Sequence, residues 1–400
     1  MKPEDFTSTE AGTCRRTLGG YWAFYPKPLP PKLEVDWALA GVLSEADRAL
    51  AELSGAGQLL PNPHLLIRPY LRREAILSSR IENTIADMEE LALFEAQPEE
   101  EPTRPDVREV ANYVRAMEYG LKKLTELPIS SRMICELHGL LMAGVRGGDV
   151  SKTPGEYRRS QNWIGQPGAT LAEATFVPPP PDEMQRVLGD WEKYLHAHTP
   201  EPVLVKCAFM HYQFEAIHPF LDGNGRIGRL LITLFLSSGG YLSQPLLYLS
   251  GFFDNTRDDY YRLLLAVSKK GQWRDWLEYF LRGVRTQAKA ALADTQAVLR
   301  LYEAHRESLK RAKRVPQTAA LILDELFGNP MFSISRFCGQ FGEGFHNVNK
   351  GVEFWINQGL LREITGQKRN RLFVADELLQ LMSGSRPTVP AREGKEQTHV

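Results

Sequence analysis

The sequence is poor in cysteine, with four in 400 residues, and Cys14, Cys135, Cys207 and Cys338 lie far apart. That spacing excludes a CxxC metal site and a disulfide framework, and leaves four isolated thiols. It also lacks any uninterrupted apolar run of about 20 residues, the length a membrane-spanning helix needs. An excess of charge of one sign is missing too. Lys and Arg total 48 against 49 Asp and Glu, a net charge of -1, so bulk electrostatics provide no attraction to nucleic acid. The opening MKPEDFTSTE has no basic segment followed by an apolar core, so it is not a secretory signal, and the expected compartment is the cytoplasm. No internal repeat is visible. What is present is a globular composition, 43% hydrophobic and 24% charged, in a chain long enough for two or three packed units.

Residues 1–35 carry Gly19-Gly20-Tyr21-Trp22 and prolines 26, 28, 30 and 31, which predicts an extended arm. Apolar residues then recur at helical spacing from Pro61 to about Glu95, as two helices joined near Glu82-Asn83-Thr84. Gln97 to Pro102 is charged and proline-bracketed, hence a solvated loop. Helical periodicity returns in Val107–Leu124 and Ser131–Met142. The glycine-rich interval from Gly144 to Pro181 contains two β-prone segments, Gln161–Gly165 and Ala174–Val177, which predict a hairpin over residues 157–178. Helices follow at Asp182–His196, Val203–Ile217, Arg226–Ser237, Asp258–Val267 and Trp273 to about Lys313. From Thr318 the pattern is three short helices, then two strands, Leu360–Ile364 and Arg371–Val374, around a basic tip. That order is a winged-helix pattern, whose third helix, with Asn347, Asn349 and Lys350, and wing, with Lys368, Arg369 and Arg371, could meet DNA. Glu353 on the same helix and the near-neutral charge argue against that use, and a protein-docking role is the alternative. Residues 383–400 read as a polar, disordered tail.

The most informative stretch runs from Ile217 to Arg229, IHPFLDGNGRIGR, between two apolar helices. Pro219 biases His218 away from the α region, so the preceding helix should end with its histidine facing a loop. Asp222-Gly223-Asn224-Gly225 tolerate positive φ and lead into the free N–H groups of the next helix, which predicts an anion nest. Arg226 and Arg229, three apart, add two cations to the positive end of that helix, so a polyphosphate fits there. Gly223 to Gly228 also matches GxGxxG, but a helix precedes it where a dinucleotide fingerprint needs a strand.

His218-Pro219-Phe220-Leu221-Asp222-Gly223-Asn224-Gly225-Arg226-Ile227-Gly228-Arg229 resembles the signature HPFx[D/E]GNGRxxR of the Fic family, with every motif position met. The resemblance implies an all-α fold, a Fic-type helical bundle with a small β-hairpin flap, and transfer of AMP from ATP to a Tyr, Thr or Ser hydroxyl of a target protein, releasing pyrophosphate. By the same resemblance His218 is the general base and Asp222 holds Mg²⁺. Gly223, Asn224 and Gly225 cradle phosphate, Arg226 and Arg229 bind the phosphates, and Phe220 anchors the loop. Tyr248, Tyr260 and Tyr261 lie where relatives contact the nucleotide. Ser78-Ser79-Arg80-Ile81-Glu82-Asn83 is similar to the family's inhibitory pattern [S/T]xxxE[G/N], which implies that Glu82 pairs with Arg229 and competes with the γ-phosphate of ATP. The segment 157–178 becomes a flap that aligns a target strand by main-chain pairing. The implied organisation is an N-terminal arm and inhibitory region to residue 100, a catalytic domain over 101–312, and a winged helix over 313–382. A homodimer is also implied, and no membrane is involved. Removal of AMP at the same site, and a DNA-binding regulator with a nucleotide-sensing core, are the alternatives.

Overall fold

The computed structural model describes residues 1–58, 64–97, 102, 104–145, 152–367 and 371–383. They form two compact units, Met1–Ala297 and Val298–Val400. The chain is mostly helical with small antiparallel sheets, as the resemblance implies.

The first unit begins with a correction. Residues 1–35 are not simply an extended arm: β1 (Gly12–Arg16) and β2 (Trp22–Pro26) pair antiparallel from Gly12↔Pro26 to Arg16↔Trp22. The prolines escape the ladder because all but Pro26 lie beyond it, and Pro26 stands at its end. Gly20, at φ 85°, supplies the turn, and the alternating aromatics suit a pleated strand. Phe24 is fully buried, and its N–H donates to Val177 O at 2.8 Å, so the hairpin docks against the 157–178 segment.

Helices α1 (Trp37–Gln58), α2 (His64–Ile81), α3 (Met88–Ala96), α4 (Pro105–Lys123) and α5 (Ser131–Leu141) follow. Local chemistry sets their starts. Asp87 and Glu90 form a reciprocal capping box on α3, Pro105 occupies the first turn of α4, and Ser130 caps α5. The junction between α2 and α3 falls at Glu82–Asp87, as expected. In 157–178 the structure departs from two strands. A single antiparallel bridge, Ile164↔Phe176, closes the segment, with a 3₁₀ turn at Leu171–Glu173. Gln161 and Asn162 spend their amides on Pro178 O, His218 O and Phe220 O, which binds the stem to the body.

The centre of the unit is α6 (Pro181–His196), α7 (Val203–Ile217) and α8 (Asn224–Ser238). α7 and α8 are apolar on nearly all sides and almost wholly buried, the pattern of central helices. α7 packs on α6 and α8, while α4 packs on α2, α5 and α8. Short α9 (Ser250–Asn255) packs on α2. α10 (Arg257–Lys270) and the long α11 (Trp273–Arg311) come next. The loop joining α7 to α8 therefore has helices on most sides, and that loop carries the motif.

In the second unit, α12 (Ala319–Gly328), β3 (Met331–Ser333), α13 (Ile334–Phe341), α14 (Phe345–Asn357), β4 (Arg362–Glu363), β5 (Leu372–Val374) and α15 (Asp376–Met382) succeed one another. The expected strands are shorter than their sequence runs. They are joined by an unanticipated β3, giving the antiparallel order β3-β5-β4. α14 packs on α12 and α13, with Trp355 buried and its Nε1–H donating to Ala319 O. The solvated loop at 98–101, the wing-tip residues Lys368 and Arg369, and the tail 384–400 lie outside the described residues.

Candidate active site

α7 stops where Pro219 requires. His218 caps it in the left-handed region, φ 51° and ψ 61°, a conformation that costs a non-glycine residue about 1–2 kcal/mol. Side chains from the 157–178 segment hold it there: Arg158 Nε donates to His218 O at 2.9 Å and Asn162 Nδ2 at 3.2 Å. The ring Nδ1 lies 3.2 Å from Glu215 O, and a carbonyl only accepts, so Nδ1 carries the proton and Nε2 keeps its lone pair. Burial pushes the ring down to about 4, with the Arg158 charge adding to the effect and the fields of Glu82 and Asp222 opposing it. His218 is therefore neutral at pH 7.

Phe220 is fully buried. Its ring stacks on His138 with centroids 3.8 Å apart and planes 7° from parallel. His138 Nδ1 accepts from Gly155 N, so its Nε2–H donates to Asp222 O at 3.0 Å. Burial lowers this histidine to about 4 as well. Asn224 accepts from Phe220 N and donates to Phe220 O, both at 2.8 Å. Its amide thus clips the loop, so any phosphate contact from Asn224 falls to its backbone.

The expected nest is narrower than its composition suggests. Of Asp222 to Gly225 only Gly223 has positive φ, 76°, because Asn224 and Gly225 already belong to the first turn of α8. Free N–H groups there come from the helix start rather than from a run of left-handed residues. Gly225 lies directly under the ion pair: a Cβ on it would meet the Glu82 carboxylate and Arg229 Nη1 and displace the Glu82 side chain.

Each arginine already has an acid: Arg229 has the expected Glu82, and Arg226 has Glu109, a pairing not anticipated from the sequence. Arg229 Nη2 donates to Glu82 Oε1 at 2.8 Å and to Ser78 O at 2.9 Å, while its Nε donates to Ser78 Oγ. Arg226 Nη1 donates to Glu109 Oε2 at 3.0 Å in a pair whose side chains are each 4% exposed. Thr84 Oγ1 donates to the same Glu109 oxygen, linking this pair to the turn after Glu82. Nη1 of Arg229 and Nε of Arg226 are buried without a hydrogen-bond partner, so both guanidiniums retain donors for a further acceptor. Burial pushes the Glu82 carboxyl up, but the fields of Arg229, Arg226 and His218 prevail and hold it below the usual range. Its turn is clamped from the other side by Arg257 Nη1 on Asn83 Oδ1 and Tyr261 OH on Ile81 O.

Tyr260 is core: it is 1% exposed, and its hydroxyl is spent on His211 Nε2 at 2.8 Å. Tyr248 is buried beside Glu74, lining a small cavity with Tyr70, Arg73 and Gln287. Of the three tyrosines singled out, only Tyr261 borders the Glu82 turn and remains partly exposed, at 41%. Asp222 presents a side chain 42% exposed, with Oδ1 accepting from Gly223 N. Among the described residues no group of three or more His, Cys, Asp or Glu side chains could by itself enclose a metal ion. In the second unit Asn349 is engaged by Glu353 and Arg371.

The sequence and the fold have known counterparts. Residues 41–122 match the Fic/DOC family N-terminal model and residues 128–236 the Fic/DOC family model itself. These residues are Fic/DOC domains. The Drosophila melanogaster "Protein adenylyltransferase Fic" is 34% identical over 131 residues, 32% of this chain and 24% of that protein. A "Probable protein adenylyltransferase" of Aquifex aeolicus is 29% identical over 178 residues, 43% of this chain and 49% of that protein. The chain thus spans about a quarter to a half of the length of these relatives. A Fic family protein from Desulfovibrio desulfuricans G20 shares the fold at a TM-score of 0.53 and 20% identity, over 87% of this chain and 98% of that one. Fic-1 of C. elegans does so at 0.51 and 19% identity, over 66% of this chain and 74% of that one. The match to the Fic model encloses His218 through Arg229, and the N-terminal match encloses Glu82 and Glu109.

Proposed function

We propose that this protein is an adenylyltransferase that moves AMP from ATP to a side-chain hydroxyl of a protein, itself included, within a catalytic domain spanning 101–312. The observation that carries the reading is the α7–α8 junction. A half-buried histidine with a free Nε2 lone pair ends one helix, and N–H donors with two buried guanidiniums open the next. Anion binding at such a helix start follows from its unpaired N–H groups and dipole. The hydroxyl oxygen attacks the α-phosphorus as its proton passes to His218 Nε2, and the bond from that phosphorus to the bridging oxygen breaks to release pyrophosphate. Arg226 and Arg229 meet phosphate oxygens through donors now unpartnered or held by acids.

Mg²⁺ suits Asp222, since that ion is commonly held by one or two carboxylates together with substrate phosphates and water, and this carboxylate is accessible. When bound it supplies charge neutralisation on the phosphates. In the state described here Glu82 occupies Arg229, and the reading makes this autoinhibition: a triphosphate lacking that cation presents its α-phosphorus poorly, and about 1 Å of misplacement costs about a hundredfold in rate. A target strand would pair along the 157–178 segment, where Trp163 and Ile164 are exposed.

The test is covalent label from ATP marked at the α- or the γ-phosphate, with wild type, Glu82→Gly and His218→Ala compared. Label from the α-position alone, strongest in Glu82→Gly and absent in His218→Ala, is the expected result. Label from the γ-position, or α-label surviving His218→Ala, would overturn the assignment.

A further inference from the structure

Arg158 is a buried cation of an unusual kind. It is fully buried, yet among the described residues it makes no ion pair with a carboxylate, unlike Arg226 and Arg229. Its partners are four carbonyls: Nε donates to His218 O at 2.9 Å, Nη2 to Pro179 O at 2.6 Å and Ile217 O at 3.4 Å, and Nη1 to Ser160 O at 3.4 Å. Its backbone N–H adds Pro219 O at 2.9 Å. Burial lowers the guanidinium to about 10, which leaves it charged at neutral pH. Removing a charge from water without an anion to receive it is expensive, and apolar residues fill such a space with less penalty. Packing alone therefore does not explain an arginine here.

The geometry shows what the charge and the fork accomplish. Ile217 and His218 carbonyls are the negative end of α7, where a cation is favoured. Ser160 and Pro179 are the entry and exit stems of the 157–178 segment. One planar guanidinium therefore gathers three pieces of chain: the peptide of His218, held in its left-handed conformation, and both stems. Asn162 reinforces the same join through His218 O and Phe220 O.

We infer that Arg158 is a positioning residue for the transfer reaction, fixing the 157–178 segment in register with His218 so that a hydroxyl held by that segment meets the histidine. The inference rests on the adenylyltransferase reading.

Two measurements test it. Amide hydrogen exchange needs no activity: in Arg158→Met, exchange is expected to quicken in both 158–164 and 217–224, with α4 and α8 unchanged. Unchanged exchange at 217–224 would overturn the tie. Kinetics are then read in a Glu82→Gly background with α-labelled ATP. Arg158→Met should lower kcat for covalent labelling about a hundredfold, the scale of a 1 Å misplacement, with KM for ATP within about twofold. Arg158→Lys, which keeps the charge and part of the donor set, should recover part of kcat. Equal loss in kcat and ATP affinity, with no rescue by lysine, would mean general damage and refute positioning. If Glu82→Gly with Arg158 intact forms no label, the enzymatic reading is what fails, and the exchange result still decides whether Arg158 joins the two segments.

Discussion

Glu82→Gly is the most informative single change, because the structure bounds its effect. Two unit charges at the 2.8 Å separation of Glu82 and Arg229 interact by roughly 6 kcal/mol at an effective dielectric of 20. The Glu82 side chain is 34% exposed, so water screens the pair and its net worth falls to about 2 kcal/mol. On the proposed reading, that is the penalty a γ-phosphate meets in taking Arg229 from Glu82. Removing it shifts the balance toward the productive nucleotide pose by about thirtyfold, at 1.4 kcal/mol per factor of ten. Initial rates of α-label incorporation, measured at ATP below saturation, should therefore rise on the order of 30-fold over wild type, in the direction set by losing the competing anion. Glu82→Gln separates charge from bulk: it keeps the size and one hydrogen bond but not the anion, and should lie between the two. A Glu82→Gly enzyme no faster than wild type, with ATP binding intact in both, would refute the competition argument.

Three further outcomes follow from particular contacts. His218→Ala should retain ATP affinity within about twofold while covalent labelling disappears, because a general base contributes to the transition state rather than to ground-state binding. Gly228→Ala should destabilise the first unit by about 1–3 kcal/mol, read as a lower denaturation midpoint, because the added Cβ collides with Glu215 and crowds Phe214; an unchanged midpoint would show that the helices part freely. From these groups stability should fall gently from pH 6.5 to 4.5 and steeply between 4.5 and 4. His138, His211 and His218, depressed by burial to about 4, 3 and 4, protonate more readily when unfolded. Each therefore favours unfolding by about 1.4 kcal/mol per pH unit below 6.5. Glu74 and Glu215, raised by burial to about 7, hold protons in the folded state down to 4.5 and offset two of the three. Denaturant midpoints across this range check it, and a steep loss already at pH 6 would contradict the buried carboxyls.

The helical class and the His218–Arg229 loop were legible because their causes are local: proline after the histidine, glycine at the one positive φ, apolar helices on either side. The contacts that hold the loop were not legible, because they reach across the chain. Arg158 lies 60 residues from His218, and Asn162 lies 58 from Phe220. Nothing in their neighbourhoods marks them as different from surface residues. Glu109 did carry a signal. It stands one helical turn before Tyr113 and in line with Ala116 and Gly120, so an acid occupies the buried stripe of α4, where it needs a cation. The β1–β2 hairpin was missed because proline content outweighed the alternation of Trp22, Phe24 and Pro26 around a Gly-Gly turn. Tyr260 is the opposite case, a position chosen by resemblance whose hydroxyl is engaged by His211 in this structure.

The arginines of the motif set the logic of the whole first unit. Both are buried, and a buried guanidinium without compensating partners costs several kcal/mol; where Arg158 is met by carbonyls, these two are met by acids from elsewhere in the chain. Those acids come from the two segments that precede the motif. Their exposures then decide their roles. Glu109, 4% exposed in the middle of α4 and fixed further by Thr84, has no path away from Arg226, so that pair sets where the guanidinium points and leaves Nε for a ligand. Glu82 is a third exposed on a turn with Asn83 at φ 62°, so on the proposed reading it swings into water when an incoming anion takes over Arg229. Of two ion pairs with similar distances, one is therefore structural and the other exchangeable. The difference lies in burial and backbone, so charge reversal at Glu82 is expected to change labelling with the fold intact, whereas the same change at Glu109 is expected to lower the denaturation midpoint of the first unit.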